Sequence, residues 1–207
     1  MQGIRTELDL TLRPETYERV RTYGLRVNSR VDLPPGRYQM RVGVRESGAG
    51  DMGTVFYDLD VPDFSREPLT MSGLLLSAAS TQRVMTVVPD EVIGAMLPGA
   101  ATSSRRFAAS DSLALYAEIY ASIGDIAPRV DVTTQLIAES GREVLVARDE
   151  LTGGIAGRDK SATYALSRAV PLKDVPPGAY LLRVQAQRRG DAERMAVRET
   201  AITVVAE

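Results

Sequence analysis

Apolar and polar residues alternate along most of this chain, with the period shown by strands that have one buried face. β-Branched and aromatic residues accompany the alternation, and no long helical pattern interrupts it. The pattern predicts strands near residues 69–78, 83–88, 112–121, 129–139, 142–148 and 162–172. The sequence therefore predicts an all-β protein.

The N-terminal region is predicted to be extended as well. The stretch "IRTELDLTL" brings four aliphatic side chains near one face, namely Ile4, Leu8, Leu10 and Leu12. The stretch "YERVRTYGLRVNSRVDL" then continues as an extended chain until Pro34. We expect no helix in this region.

One pattern occurs twice, as "VDLPPGRYQMRV" from Val31 and "KDVPPGAYLLRV" from Lys173. Proline fixes φ and glycine accepts positive φ, so each Pro-Pro-Gly predicts a turn before an alternating strand. In the first copy, two runs of alternate residues are predicted to face a core: Tyr38, Met40, Val42 and Val44, then Val55, Tyr57, Leu59 and Val61. Each copy therefore predicts the last hairpin of a β-domain.

The repeat predicts two tandem antiparallel β-sandwich domains of the immunoglobulin-like type. We place the first domain at residues 1–62, a linker at 63–68 and a complete second domain at 69–207. The first domain has only about four strands, fewer than a typical sheet. It is therefore a small or partial sandwich, whose earlier strands lie elsewhere or whose edges pair with another chain.

The amino-acid composition excludes several classes of function. The 207 residues carry a formal charge of −2 without a basic tract, so no nucleic-acid partner is expected. The absence of cysteine and histidine excludes disulfides, thiolate nucleophiles and histidine-based triads. We expect no cofactor. The stretch "MQGIRTELDL" lacks the charged start and apolar run typical of a signal peptide, and no window has about 18 uninterrupted apolar residues, so direct membrane insertion is not expected.

The carboxylates of Asp58, Asp60 and Asp63 are weak candidates for a calcium site at the junction between the two domains. A simpler interpretation is that Asp58 and Asp60 lie on a solvent face and pair across strands with Arg41 and Arg45. No glycine-containing acidic loop of the usual calcium-site spacing accompanies them. The simpler interpretation is therefore favoured.

A second candidate face contains Tyr116, Glu118 and Tyr120, which alternate with aliphatic residues of the same strand. Two aromatic rings and a carboxylate on an exposed face would suit a sugar or a protein partner. Aromatic residues of a sheet are more often packed, and the chain has no tryptophan, which weakens the sugar hypothesis.

A third candidate is the positive stripe formed by Arg37, Arg41 and Arg45, which alternate on one strand. Such a stripe would suit an acidic glycan or a lipid head group. Most stripes of this kind are solvated sheet faces that oppose aggregation, and this alternative is favoured.

Three segments resemble the C-terminal region of bacterial secreted proteins that contain von Willebrand factor A (VWFA)-related domains. They are "LTLRPETYERV", "LPPGRYQMRVGVRESGAGDMGTVFYDLDVPDF" and "SRRFAASDSLALYAEIY". The resemblance implies export and a multidomain parent protein in which the A-type domain precedes this region. The A-type domain itself is absent, and no Asp-x-Ser-x-Ser segment is present, so no metal ligand is carried over.

We therefore expect a non-catalytic structural or interaction module, acting as a spacer, adhesion or assembly region of a secreted, periplasmic or cell-surface bacterial protein. Its expected partners are other domains of the parent protein or another protein chain, bound by strand sharing, and a homo-oligomer is an alternative. A carbohydrate- or polymer-binding accessory domain is the second hypothesis. An enzyme is the least favoured, because nothing singles out a pair of catalytic carboxylates.

Overall fold

The computed structural model describes residues 3–48, 50–64, 66–123, 127–157, 161–191 and 193–206, and these ranges consist mainly of β-strands. The all-β class is confirmed. The elements in chain order are α1 (Pro14–Tyr23), β1 (Leu25–Val27), β2 (Gly36–Arg45), β3 (Met52–Val61), β4 (Leu69–Met71), β5 (Leu75–Ser77), a 3-10 helix (Ala79–Arg83), β6 (Met85–Val88), α2 (Glu91–Met96), β7 (Arg106–Ala108), β8 (Ser112–Ser122), β9 (Val130–Ala138), β10 (Glu143–Leu151), β11 (Ile155–Ala156), β12 (Ser161–Pro171), β13 (Gly178–Arg188) and β14 (Met195–Val205). No helix within the described ranges is long and apolar enough to cross a membrane.

The C-terminal part of the chain is a sandwich of two sheets. One sheet has the strand order β10-β9-β13-β14-β7, and the other has the order β11-β12-β8-β4, with β5 also paired to β8. Neighbouring strands are antiparallel except for β14 and β7, which run parallel. The strand predicted at 69–78 is interrupted, because β4 and β5 pair with separate parts of β8.

The core of the sandwich follows from the alternation in its strands. In β8 every second side chain is buried between the sheets, and these are Leu113, Leu115, Ala117, Ile119 and Ala121. Strands of both sheets contribute to the same buried cluster. Complete burial of a leucine or isoleucine side chain stabilises a fold by roughly 1.5–3 kcal/mol, so the alternation fixes which face of each strand turns inward.

One polar side chain lies inside this core. Thr134 of β9 is fully buried, and among the described residues its Oγ1 atom has no hydrogen-bond partner. A buried hydroxyl without a partner costs roughly 1–3 kcal/mol. The core therefore contains a local source of instability that the period-2 pattern did not reveal.

The expectation of an extended chain up to Pro34 is wrong, because residues Pro14–Tyr23 form helix α1. Pro14 occupies the first turn, where its missing N–H is not needed. Glu15 lies in the first turn and Arg21 in the last turn, where the helix dipole favours a negative and a positive charge respectively. Gly24 ends the helix at φ 80°, and its N–H donates to the carbonyl of Val20 at 2.7 Å. The glycine is needed there because few other residues adopt positive φ.

The strand expected in "IRTELDLTL" is also wrong. This segment is irregular in the structure, and Ile4, Leu8 and Leu10 are exposed. Alternation stabilises a strand only where a neighbouring strand and an apolar surface are available. The described residues provide no partner strand for this segment.

Strand β1 pairs in parallel with β6, with Leu25 opposite Met85 and Val27 opposite Val88. The strand predicted at 83–88 therefore forms, but it joins β1 instead of either sheet of the sandwich. The N-terminal segment thus contacts the chain beyond the predicted linker. The boundaries at 1–62, 63–68 and 69–207 stay predictions, and each range includes residues outside those described.

Two arginines extend this contact. Arg26 donates to Thr86 Oγ1 at 3.1 Å, and Arg30 forms an ion pair with Asp90 at 3.0 Å. Asp90 also caps helix α2 by accepting the N–H of Ile93 at 3.1 Å. The amide of Ile93 and the charge of Arg30 hold the pKa of Asp90 below its ordinary value, against the opposing effect of desolvation.

Candidate functional site

Hairpins β2–β3 and β13–β14 repeat one local structure. In both, the tyrosine after the Pro-Pro-Gly corner donates its hydroxyl hydrogen to the carbonyl of the first proline. The oxygen–oxygen distance is 2.8 Å from Tyr38 to Pro34 and 2.7 Å from Tyr180 to Pro176. Each tyrosine lies opposite an aliphatic residue of the returning strand, so the two hairpins pair in the same register.

The two hairpins differ in burial at equivalent positions. Val184 and Leu182 of β13 are fully buried in the sandwich core. Their counterparts in β2 are Val42, which is 48% exposed, and Met40, which is 41% exposed. One hairpin sequence pattern therefore forms a core in one copy and a solvent-exposed surface in the other.

We call this surface the apolar hairpin face, and it consists of Tyr38, Met40, Val42, Val44, Val55, Tyr57, Leu59 and Val61. Directly opposed residues of an antiparallel pair share a face, so the register of β2 and β3 places these side chains together. Several are strongly exposed, including Val44 at 70% and Val55 at 64%. The expectation that this set faces a core is therefore wrong within the described chain.

The cause lies in the neighbours of each hairpin. In the C-terminal copy, β9 pairs along β13, β7 pairs along β14, and the second sheet packs on the inner face. In the part of the chain that the structure describes, neither outer edge of β2–β3 pairs with a strand. The small number of strands before Pro62 was the signal for this difference, because too few strands were present to cover the hairpin.

The opposite face of the hairpin carries Arg37, Arg41 and Arg45, as the alternation predicted. Arg37 forms an ion pair with Asp60 at 3.7 Å, and both side chains are largely exposed. The guanidinium of Arg41 lies 5.3 Å from the ring centre of Phe56. These are solvent-facing contacts, which contribute little to stability.

The cross-strand pairs differ from those expected for the two aspartates. Asp60 is opposite Arg37 and Asp58 is opposite Gln39, whereas Arg41 and Arg45 face Phe56 and Met52. The expected pairing of Asp58 and Asp60 with Arg41 and Arg45 is wrong because the register places those arginines nearer the turn. The ion pair forms with the arginine at the start of β2 instead.

The acidic residues do not come together as a metal site. Within the described ranges, no group of three or more acidic side chains is placed to hold a metal ion. Asp63 pairs with Arg66 at 2.9 Å beyond the end of β3, while Asp60 pairs with Arg37. The structure therefore does not assemble Asp58, Asp60 and Asp63 around one point.

Tyr116, Glu118 and Tyr120 lie on the outer face of β8 and are half-buried. The carboxylate of Glu118 accepts hydrogen bonds from both tyrosine hydroxyls, with a distance of 3.3 Å to that of Tyr116. The ring centre of Phe64 lies 4.8 Å from that of Tyr120. Small side chains of β12, including Ala165, lie beside this cluster.

Burial and the neighbouring carboxylate change the acidity of both phenols. Desolvation, and then the hydrogen bond and charge of Glu118, raise the pKa of Tyr120 far above its ordinary value. Desolvation and the charge of Glu118 also raise the pKa of Tyr116. Both hydroxyls therefore remain protonated hydrogen-bond donors near neutral pH.

No family model matches this sequence, and no curated protein matches it. Among solved structures, the chain is similar to beta-glucuronidase 2 from Bacteroides uniformis covalently bound to cyclophellitol-6-carboxylate aziridine. The two sequences are 11% identical, and the similarity covers 73% of this chain and 16% of that chain with a TM-score of 0.39. It is also similar to a family 123 glycoside hydrolase from Clostridium perfringens, with 11% identity, 50% of this chain and 23% of that chain covered, and a TM-score of 0.33.

Proposed function

We propose that this chain is a non-catalytic interaction module of an exported or cell-surface bacterial protein. In this proposal the sandwich is a rigid support, and hairpin β2–β3 is the element that binds a partner. The partner is another domain of the parent protein or another protein chain. The resemblance to VWFA-related secreted proteins supports export.

The exposed apolar hairpin face is the observation that carries this proposal. Soluble monomers rarely expose contiguous apolar patches larger than a few hundred Å², and such patches commonly mark sites of protein interaction. Here eight apolar side chains share one face of the hairpin, and five of them are exposed: Met40, Val42, Val44, Val55 and Tyr57. A surface of this kind suits a role in binding.

We also propose that both hairpins belong to immunoglobulin-like domains. The strand order β4-β8-β12-β11 in one sheet and β9-β13-β14 in the other agrees with the two sheets of that fold. A tyrosine whose hydroxyl bonds back to the chain before its strand is a hallmark of the same fold. Tyr180 and Tyr38 both make this bond, which supports one complete domain and the final hairpin of another.

A matched pair of variants tests the binding role. Val55→Lys places a charge on the apolar hairpin face, whereas Thr54→Lys places the same side chain on the opposite face of β3. We expect a specific complex to be captured from the envelope fraction of the source cells by the wild-type chain and by Thr54→Lys, and lost with Val55→Lys. Equal recovery by all three chains, or by none, would contradict the role.

Carbohydrate or polymer binding at β8 is the second candidate function. The observation that favours it is the outer-face cluster of two tyrosines around Glu118, beside small side chains of β12. Binding to a glycan array or an insoluble polysaccharide should be lost in Tyr116→Ala and Tyr120→Ala. It should be retained in Gln185→Ala, which changes the outer face of the opposite sheet. Failure of the wild-type chain to bind any glycan would dismiss this candidate.

A further inference from the structure

The C-terminal hairpin shows how this structural unit is completed. Strand β9 pairs antiparallel with β13 without interruption from Tyr180 opposite Ala138 to Arg188 opposite Val130. The inward side chains of β9 are buried and uncharged, and they are Val130, Val132, Thr134 and Leu136. A strand with an uncharged, mainly aliphatic residue at every second position is therefore what covers the edge of this hairpin.

Strand β2 has the equivalent edge, but no described strand pairs along it. The hairpin register is the same in the two copies, so Met40 is equivalent to Leu182 and Val42 to Val184. An unpaired edge presents a row of backbone N–H and C=O groups that can accept another strand. In the described ranges β2 pairs only with β3, so its outer edge remains available.

The size of the hairpin distinguishes between two occupants of the apolar hairpin face. Strands of this length in a two-stranded sheet cover a flat area of about 33 Å by 10 Å, which is roughly 330 Å². A stable interface buries about 800 Å² on each partner. The hairpin of a second copy, stacked face to face, offers too little surface. A partner that pairs along β2 and also packs its own sheet on the apolar hairpin face offers a larger contact area.

We propose that the outer edge of β2 accepts an antiparallel strand from a different polypeptide, and that this strand has uncharged aliphatic or β-branched residues at every second position. The residue opposite Met40 takes the place that Leu136 has opposite Leu182. The sheet that carries the added strand then covers the apolar hairpin face. This inference rests on the proposed binding role and specifies the edge, the direction and the chemistry of the partner.

A peptide with the sequence of β9, VDVTTQLIA, is the probe for this proposal. The isotope-labelled full chain is titrated with it and followed by NMR. We expect saturable changes in the amide signals of β2, between Tyr38 and Val44, and amide exchange along β2 that slows by roughly tenfold or more. A peptide of the same composition whose apolar and polar residues no longer alternate should have no such effect.

Two substitutions in β2 provide the control. Val42→Lys puts a charge on the face that the added strand must cover, whereas Gln39→Lys puts the same charge on the opposite face. Val42 is exposed, so this change should leave the chain folded. Val42→Lys should weaken peptide binding by roughly tenfold or more, because a charged amine is costly to bury, and Gln39→Lys should leave it unchanged.

Three outcomes would overturn the inference: changes confined to β3 or β13, equal effects of the two peptides, and no saturable change. A concentration-dependent dimer by sedimentation velocity, lost in Val42→Lys, would identify a second copy as the occupant instead. These failures differ from failure of the proposed function. A complex captured from cells through Val55 would support the binding role even without peptide binding at β2. Peptide binding without any cellular complex would count against the binding role alone.

Discussion

Val42 and Val184 occupy equivalent positions of the two hairpins, so replacing each with alanine compares the same chemical change in two environments. Val184 is fully buried, whereas Val42 is 48% exposed. Removing two buried carbon atoms costs about 1.6 kcal/mol at roughly 0.8 kcal/mol each, and the cavity left behind raises the cost to about 2–3 kcal/mol. Val42→Ala should cost less than about 0.5 kcal/mol, because no hairpin β2–β3 residue belongs to the buried cluster of the described chain.

Urea and thermal unfolding followed by circular dichroism measure this difference in the free energy of unfolding. For a chain of this size, Val184→Ala should lower the midpoint temperature by about 4–12 °C. Val42→Ala should lower it by less than about 2 °C. Equal destabilisation by the two variants would refute the reasoning, because it would mean that β2 is covered in the isolated chain.

The remaining predictions concern buried groups and titration. Thr134→Val should raise the free energy of unfolding by about 1 kcal/mol, measured by urea unfolding, because it removes a buried hydroxyl without a partner; a destabilised variant would contradict this. Gly154→Ala should lower the free energy of unfolding by about 1–3 kcal/mol, because the added Cβ would lie 2.6 Å from the ring of Tyr164. Unchanged stability would contradict this and show that the ring moves aside freely. The pKa of Asp90 is lower in the folded state, so its stabilising contribution is present above the ordinary aspartate pKa and is lost as pH falls through the folded-state pKa. Asp90→Asn should reduce that acid dependence, and an unchanged pH–stability curve would count against the ion pair and cap. The pKa of Tyr120 is raised in the folded state, so the contribution of this phenol to stability is present below the ordinary tyrosine pKa and is lost as pH rises through the folded-state pKa. Ultraviolet titration should therefore find phenols that ionise only at higher pH. Titration of every tyrosine at the ordinary pKa would contradict this.

The long strands of the sandwich could be predicted because alternation and burial coincide in them. In β8 the alternate residues from Leu113 to Ala121 are all buried, and the predicted range 112–121 differs from the observed strand by one residue. In β9 the same pattern holds from Val130 to Ile137, and in β13 it holds from Tyr180 to Gln187. Such strands need only a cross-strand neighbour, and several similar strands in the same chain provide it.

Helix α1 was missed although its end signals were present. Pro14 begins the helix and Gly24 follows its last residue, but the alternation within "YERVRTYGLRV" matched a strand over the same residues. When a short segment fits both the helical and the strand period, its capping residues and its surroundings determine which structure it forms. Here Gly24 at positive φ ends the helix before β1 begins.

The exposure of the apolar hairpin face could not be predicted from its own sequence. Alternation shows which residues share a face, and the register of β2 and β3 agrees with it. It does not show whether a second layer covers that face. Val42 and Val184 have closely similar sequence neighbours, and only the surrounding strands make one exposed and the other buried.

The uncovered hairpin has a consequence for the chain soon after its synthesis. Exposed apolar strands are what cellular chaperones and proteases detect when they remove unassembled subunits. Under the proposed role, a chain made in excess of its partner would be degraded, and its steady-state level would follow the supply of that partner. Hairpin β2–β3 would then set the amount of the protein as well as its binding.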